Sequence, residues 1–148
     1  MFFSKAYILI FVVVLAAACS KHTDTETGSG NNQGGDTKLV GTWRWVRTDG
    51  GIGDNIHETP LSTGNQMALT LTAGGMYLIY TNGVKTSEGT YTLQAKTCIH
   101  DLTDKMYINF SADQDLMVEK IDSKNLWLSD EFYDGLGSLY KRSRIGSN

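Results

Sequence analysis

The stretch that decides the fold runs from residue 66 to residue 94 and reads QMALTLTAGGMYLIYTNGVKTSEGTYTLQ. Met67, Leu69 and Leu71 alternate with polar or small residues, which is the two-residue period of a strand with one buried face. Gly74-Gly75 separates this strand from a second apolar strand. Asn82-Gly83 then supplies the dipeptide most typical of a two-residue hairpin turn. The stretch therefore predicts three successive antiparallel strands, a meander.

The same alternation continues on both sides of this meander, and no segment predicts a helix. Strands are predicted at residues 39–47, 66–72, 76–80, 84–94, 106–110, 116–121, 126–128 and 137–142. About eight short strands joined by turns favour a sandwich or a barrel. Closure into a barrel removes the exposed strand edges that invite aggregation. We therefore predict an all-β domain over residues 39–143, a small antiparallel up-and-down barrel of about eight strands.

The amino terminus has the features of an export signal. Lys5 is followed by an unbroken apolar run, residues 6–18, which is too short for a membrane-spanning helix of about 20 residues. A charged start, a short apolar centre and small residues at its end predict a signal peptide over residues 1–18. Ala16-Ala17-Ala18-Cys19 resembles the lipobox of bacterial lipoproteins. That resemblance implies cleavage before Cys19 and a lipid such as palmitate on its thiol; an ordinary signal peptide cut after Ala18 is the alternative.

The segment after Cys19 has no large apolar residue through Lys38, so residues 19–38 are predicted to be a lipidated cysteine and a disordered tether. Residues 144–148 are predicted to be a short tail. Thirteen basic against sixteen acidic residues give a net charge of −3, and no basic stripe is present, so a nucleic-acid partner is not expected. Cys98 has no disulfide partner if Cys19 carries a lipid, and we expect it to be a small buried hydrophobe.

A second resemblance lies at the start of the domain. Gly41-Thr42-Trp43 is similar to the G-x-W signature on the first strand of lipocalin barrels. The chain as a whole resembles lipocalin-like lipoproteins of Gram-negative bacteria. The resemblance implies that Trp43 plugs one end of the barrel under a basic side chain, Arg142 or alternatively Lys141. It also implies an envelope location, with Ser20 compatible with the outer membrane, and a small apolar ligand. An ordinary core tryptophan is the other interpretation of Trp43.

The residues expected to line a ligand site fall in two groups. The first connection, residues 48–65, is unusually long. Loops longer than about 12–15 residues that have no secondary structure are usually functional or disordered. We expect it to act as a lid, with Ile52, Ile56 and Leu61 entering the mouth of the barrel; an exposed surface loop is the alternative. The second group, aromatic residues on predicted strands, is Trp45, Tyr77, Tyr80, Tyr91 and Tyr107. These tyrosines are equally well explained as ordinary strand residues.

The sequence contains no motif typical of catalysis. His57-Glu58 and His100-Asp101 are adjacent pairs, and neighbours in a strand point to opposite faces. We therefore expect no enzyme activity, no metal site and no cofactor. Two functions remain open: capture of a small apolar ligand, or a filled barrel that interacts with another envelope protein. An interior cavity of roughly 300 Å³ or more favours the first; a packed core with an exposed aromatic patch favours the second.

Overall fold

The computed structural model describes residues 36–143. The predicted signal peptide, the predicted lipid anchor Cys19, most of the predicted tether and the predicted tail at residues 144–148 lie outside the described residues. Residues 36–38, which were assigned to the tether, belong to a turn in which the Leu39 backbone N–H donates to the Asp36 carbonyl at 2.8 Å. Leu39 is buried, so this turn is part of the folded domain.

Nine strands and one short helix follow one another within residues 36–143. They are β1 (Gly41–Gly50), β2 (Ile56–Glu58), α1 (Pro60–Thr63), β3 (Met67–Leu71), β4 (Met76–Thr81), β5 (Val84–Thr97), β6 (Asp104–Phe110), β7 (Leu116–Ile121), β8 (Asn125–Ser129) and β9 (Leu136–Arg142). All eight predicted strands are present, as β1 and β3 to β9. The sequence analysis did not predict β2 and α1.

The eight long strands close into a barrel. Each pairs antiparallel with its neighbour in the chain, and β9 returns to pair with β1, with Trp43 opposite Arg142 and Trp45 opposite Tyr140. The predicted fold class, a small antiparallel lipocalin-like barrel, is therefore confirmed. In this topology the chain enters at the start of β1 and leaves at the end of β9 at the same end of the barrel. We call this end the entry end and the opposite one the far end.

The barrel interior is filled by alternate side chains of every long strand. Ten buried residues form what we call the interior cluster: Leu39, Trp43, Leu69, Leu71, Tyr77, Tyr91, Ile108, Phe110, Leu126 and Leu128. Polar atoms within the cluster find partners, as buried polar groups usually do. The Trp43 indole N–H donates to the Leu39 carbonyl at 2.7 Å, and the Tyr91 hydroxyl donates to the Thr72 carbonyl at 2.8 Å.

A second, smaller cluster lies on the outer face of the sheet. Tyr107 and Met117 are opposite each other on β6 and β7, and the adjacent Ile108 points into the barrel, so these two side chains point outward. Together with Cys98 they form what we call the outer cluster. Cys98 is a buried free thiol, which confirms the prediction for that residue.

The connection between β1 and β3 has structure of its own. β2 pairs with residues 48–50 of β1, and α1 follows it directly. Thr59 caps this four-residue helix: its hydroxyl accepts from the Ser62 backbone N–H, and the Ser62 hydroxyl accepts from the Thr59 backbone N–H. Pro60 supplies the first helical residue and Gly64 ends the helix at φ 72°. These local capping signals explain a helix that hydrophobic periodicity could not predict, because a single turn has no period to display.

Candidate functional site

Trp43 and Arg142 meet at the entry end of the barrel. The Arg142 guanidinium carbon lies 4.0 Å from the centroid of the Trp43 ring, within the range of a cation–π contact. Arg142 also donates to the carbonyls of Val40 at 2.8 Å, Ser123 at 3.1 Å and Lys38. It therefore ties the first turn and the β7–β8 turn together above the tryptophan. Lys141, the alternative basic residue, is exposed and alternates with Arg142 to the other face of β9.

The far end of the barrel contains a small interior cavity of about 200 Å³. Its lining is mostly apolar and includes Met67, Leu69, Ile79, Phe110, Leu116 and Tyr140. The connection between β6 and β7 supplies Asp113 and Gln114 at its rim. Asp113 accepts hydrogen bonds from the hydroxyls of Tyr77 and Ser87, both at 2.5 Å. The cavity is smaller than the roughly 300 Å³ at which ligand pockets begin.

The first connection does not form the expected lid. Ile52 is 78% exposed and Leu61 is 95% exposed, so the prediction that they enter the barrel mouth is wrong. Ile56 is half-buried, and its side chain packs over Gly51, where a Cβ atom would lie 2.8 Å from the Ile56 Cδ1. Pairing of β2 with β1 holds this segment along the outside of the barrel, which explains why its apolar residues do not reach the interior.

The four tyrosines do not share a site. Tyr77 and Tyr91 belong to the interior cluster, whereas Tyr107 belongs to the outer cluster and Tyr80 lies half-buried on the outer face of β4. Burial raises the pKa of the Tyr77 phenol, and the neighbouring Asp113 carboxylate raises it further. Burial also raises the pKa of Tyr91. Two of the four tyrosines are therefore interior packing residues with fixed hydroxyl partners, and a continuous aromatic lining is not formed.

Trp45 and Tyr80 do come together, in a groove at the side of the barrel. β3 pairs with residues 41–44 of β1 and β2 pairs with residues 48–50, so the strands separate between these two pairings. The resulting lateral groove has a volume of about 410 Å³ and is lined by Arg44, Trp45, Pro60, Gln66, Met67, Ala68, Tyr80 and Gly83. The Trp45 indole N–H donates to the Thr48 hydroxyl at 2.9 Å, which fixes the ring at the gap.

A second groove, of about 480 Å³, crosses the outer face of β7, β8, β9 and β1. Trp127 and Leu139 form its apolar part, and the Lys120 ammonium lies 5.1 Å from the Trp127 ring centroid. Asp49 forms ion pairs with Arg47 at 3.0 Å and His57 at 3.1 Å along one wall. The hydrogen bond that His57 Nδ1 donates to the Asp49 carboxylate raises the pKa of His57, and the charge of Asp54 adds to this shift. Sequence reasoning predicted the strand but did not single out Trp127. Its position between Leu126 and Leu128, which point inward, could have indicated an aromatic ring on the outer face.

Two loops beside the outer cluster expose apolar side chains. The β5–β6 loop carries Ile99 and Leu102, and the β8–β9 loop carries Phe132 and Tyr133. We call these four side chains the loop patch. The loops contact each other: the Ile99 backbone N–H donates to the Glu131 carboxylate at 3.1 Å, and the rings of His100 and Tyr133 meet edge to face at 5.3 Å. Sequence reasoning missed this patch, because its parts are about 30 residues apart in the chain.

Within residues 36–143, no three His, Cys, Asp or Glu side chains are arranged to hold a metal ion. No helix in the same range is long and apolar enough to cross a membrane. Comparison with protein-family models, curated proteins and solved structures gave no match for this chain. The similarity to lipocalin-like lipoproteins therefore depends on the lipobox, the G-x-W motif and the barrel.

Proposed function

We propose that this chain is a non-enzymatic binding module of the bacterial cell envelope, held at the outer membrane by a lipid on Cys19. In this proposal the barrel is a rigid support, and its outer surface binds another envelope protein. The observation that carries the proposal is the filled interior.

The packing of the interior favours a surface function over an internal one. Trp43, Tyr77, Tyr91 and Phe110 are all buried there, and the cavity described beside them has a volume of about 200 Å³. An eight-stranded barrel has room either for packed side chains or for one small ligand. Here the large side chains use most of that room. By contrast, aromatic and aliphatic side chains are exposed on the loops outside, and contiguous exposed apolar patches mark interaction sites.

Native mass spectrometry of the full-length protein, purified from its own membrane in detergent, tests the filled barrel. We expect the mass of the lipidated chain with no small molecule retained. A reproducible extra mass that disappears in the cavity-filling variant Leu69→Trp would contradict the proposal and indicate an interior ligand. An extra mass retained by that variant would be assigned to the outer surface or to detergent.

Labelled palmitate tests the anchor separately. We expect the wild-type chain to incorporate the label in living cells and the variant Cys19→Ala to lose it. Cys98→Ala is the matched control, since it removes the other thiol of the chain and should leave labelling unchanged. Labelling of the Cys19→Ala variant would overturn lipidation at that residue.

A second candidate function is capture of a small apolar molecule at the side of the barrel. The observation that favours it is that Met67 and Ala68 line both the lateral groove and the interior cavity. Movement of the flexible Met67 side chain would join the two spaces, because methionine has three rotatable bonds and adapts to irregular gaps. The variant Met67→Trp should block such a molecule, so loss of a retained mass in this variant would favour the second candidate.

A further inference from the structure

The loop patch combines apolar exposure with a concentration of negative charge. Leu102 is 79% exposed, Phe132 63% and Tyr133 81%. Residues 98–105 and 130–135 contain five acidic side chains, Asp101, Asp104, Asp130, Glu131 and Asp134, and one basic side chain, Lys105. These two segments therefore carry a net charge of −4, whereas the whole chain carries −3. The net negative charge of these two segments therefore exceeds that of the whole chain, and Lys96, 5.1 Å from the Tyr107 ring, adds one positive charge nearby.

This negative charge favours some binding partners of the loop patch over others. A second copy of the chain would bring two segments of net charge −4 together, and like charges at an interface oppose association. A membrane leaflet rich in anionic lipid would repel the patch for the same reason. A protein surface with apolar side chains bordered by lysine or arginine complements both the apolar side chains and the negative charge of the loop patch.

The patch is also held in place from beneath. Cys98, at the start of the β5–β6 loop, packs with Tyr107 and Met117 in the outer cluster. The Leu102 backbone N–H donates to the Cys98 carbonyl at 3.1 Å, which closes this loop on itself. Leu102 has a φ of 56°, a conformation that is unfavourable for a leucine and persists only where the surrounding structure enforces it. The exposed leucine is therefore presented by a loop of defined conformation.

We infer that the loop patch is the docking surface for a protein partner whose contact region combines apolar side chains with lysine or arginine. This inference rests on the proposed function and identifies the surface and the partner chemistry. Four central side chains make a small contact, and the surrounding charge makes its affinity dependent on salt, because ions screen exposed charges over about 10 Å at 0.1 M.

The test is selection of a library of random twelve-residue peptides against the full-length lipidated protein in phosphatidylcholine nanodiscs. We expect the enriched peptides to combine aromatic or aliphatic residues with lysine or arginine. Fluorescence anisotropy of these peptides should show binding that weakens at least about fivefold when sodium chloride rises from 50 to 500 mM, because the attraction between exposed charges is screened. Enriched peptides without basic residues, or with affinity independent of salt, would overturn the inferred partner chemistry.

Two double variants locate the binding. Leu102→Asn with Phe132→Ser removes two members of the patch, and asparagine tolerates the positive φ at residue 102. We expect this variant to weaken binding at least about tenfold. Ile52→Asn with Leu61→Ser is the matched control, because it removes two exposed apolar side chains outside the patch and should leave binding unchanged. Circular dichroism should show that both variants stay folded; if the patch variant does not, Asp134→Asn, which removes one charge from the patch, should still weaken binding.

The outcomes separate the docking surface from the proposed function. Selected peptides that bind wild type and both double variants equally would overturn the loop patch as the docking surface, while an interaction module with another binding face would remain. Failure to enrich any peptide would overturn the inference and count against the interaction function as well. Preferential binding of anionic lipid vesicles to the patch would overturn the protein partner.

Discussion

The interior cluster and the outer cluster are both buried, but they differ in size and in how their polar atoms are satisfied. The interior cluster has ten residues, and its Trp43, Tyr77 and Tyr91 side chains all donate hydrogen bonds. The outer cluster has three residues, and within the described part of the chain the buried Tyr107 hydroxyl makes no hydrogen bond of standard geometry, although burial, the nearby Glu131 carboxylate and the Cys98 thiol raise its pKa. An unpaired buried polar group costs about 1–3 kcal/mol.

This difference indicates that the two clusters have different structural roles. The interior cluster gathers side chains from strands all around the barrel, so it stabilises the whole fold. The outer cluster gathers side chains beneath the β5–β6 loop at some energetic cost, and it holds the side of the barrel where the loop patch lies. The first cluster therefore determines whether the chain folds, and the second influences what its surface presents.

The largest expected effect comes from emptying the interior cluster at Trp43. Trp43→Ala should lower the free energy of unfolding by about 3–5 kcal/mol, because it leaves a cavity and removes the ring beneath Arg142. Urea denaturation followed by circular dichroism measures this change. Met117→Ala in the outer cluster is the comparison and should cost about 2 kcal/mol, at the low end for such truncations. Equal losses of free energy in the two variants would show that both clusters contribute equally to the stability of the fold.

Removal of one hydroxyl from each cluster should lower the free energy of unfolding in the interior cluster but not in the outer cluster. Tyr91→Phe leaves the Thr72 carbonyl without its donor and should lower the free energy of unfolding by about 1 kcal/mol. Tyr107→Phe removes an unpaired hydroxyl and should leave the free energy unchanged or raise it by up to about 1 kcal/mol. The same denaturation assay applies to both. Destabilisation by Tyr107→Phe would mean that its hydroxyl has a partner, such as a bound water.

The smallest effect is a dependence of stability on alkaline pH. Burial is the main cause of a raised pKa at Tyr77, Tyr91, Tyr107 and Tyr140. Unfolded tyrosines ionise near pH 10. Above that pH the unfolded chain binds fewer protons than the folded chain, so stability that is complete below about pH 10 is lost as the pH rises towards the folded pKa values.

Urea midpoints at pH 8, 10 and 11 measure this loss. We expect a somewhat lower midpoint at pH 10 than at pH 8, because about half of the unfolded tyrosines are ionised at pH 10, and a much lower midpoint at pH 11. The decline should be smaller in Tyr107→Phe, which lacks one of the buried phenols. A midpoint that stays constant to pH 11 would contradict the raised pKa values.

The candidate sites were predicted less well than the strands. Both faces of β4 are apolar, with Met76, Leu78 and Tyr80 on one and Tyr77 and Ile79 on the other. Hydrophobic pattern alone therefore could not decide that Tyr77 points inward and Tyr80 outward. The connection after β1 was predicted to be a lid on its length, whereas its pairing with the end of β1 keeps Ile52 and Leu61 exposed.

The strands and the meander could be predicted from the amino-acid sequence, because alternation and turn dipeptides act over a few neighbouring residues. The sequence also predicted burial of Cys98. No local pattern could predict the volume of the interior cavity, the position of Arg142 over Trp43 or the contact between the β5–β6 and β8–β9 loops. These features depend on contacts between residues about 30 to 100 positions apart, and such contacts are fixed by the closure of the barrel rather than by any local pattern.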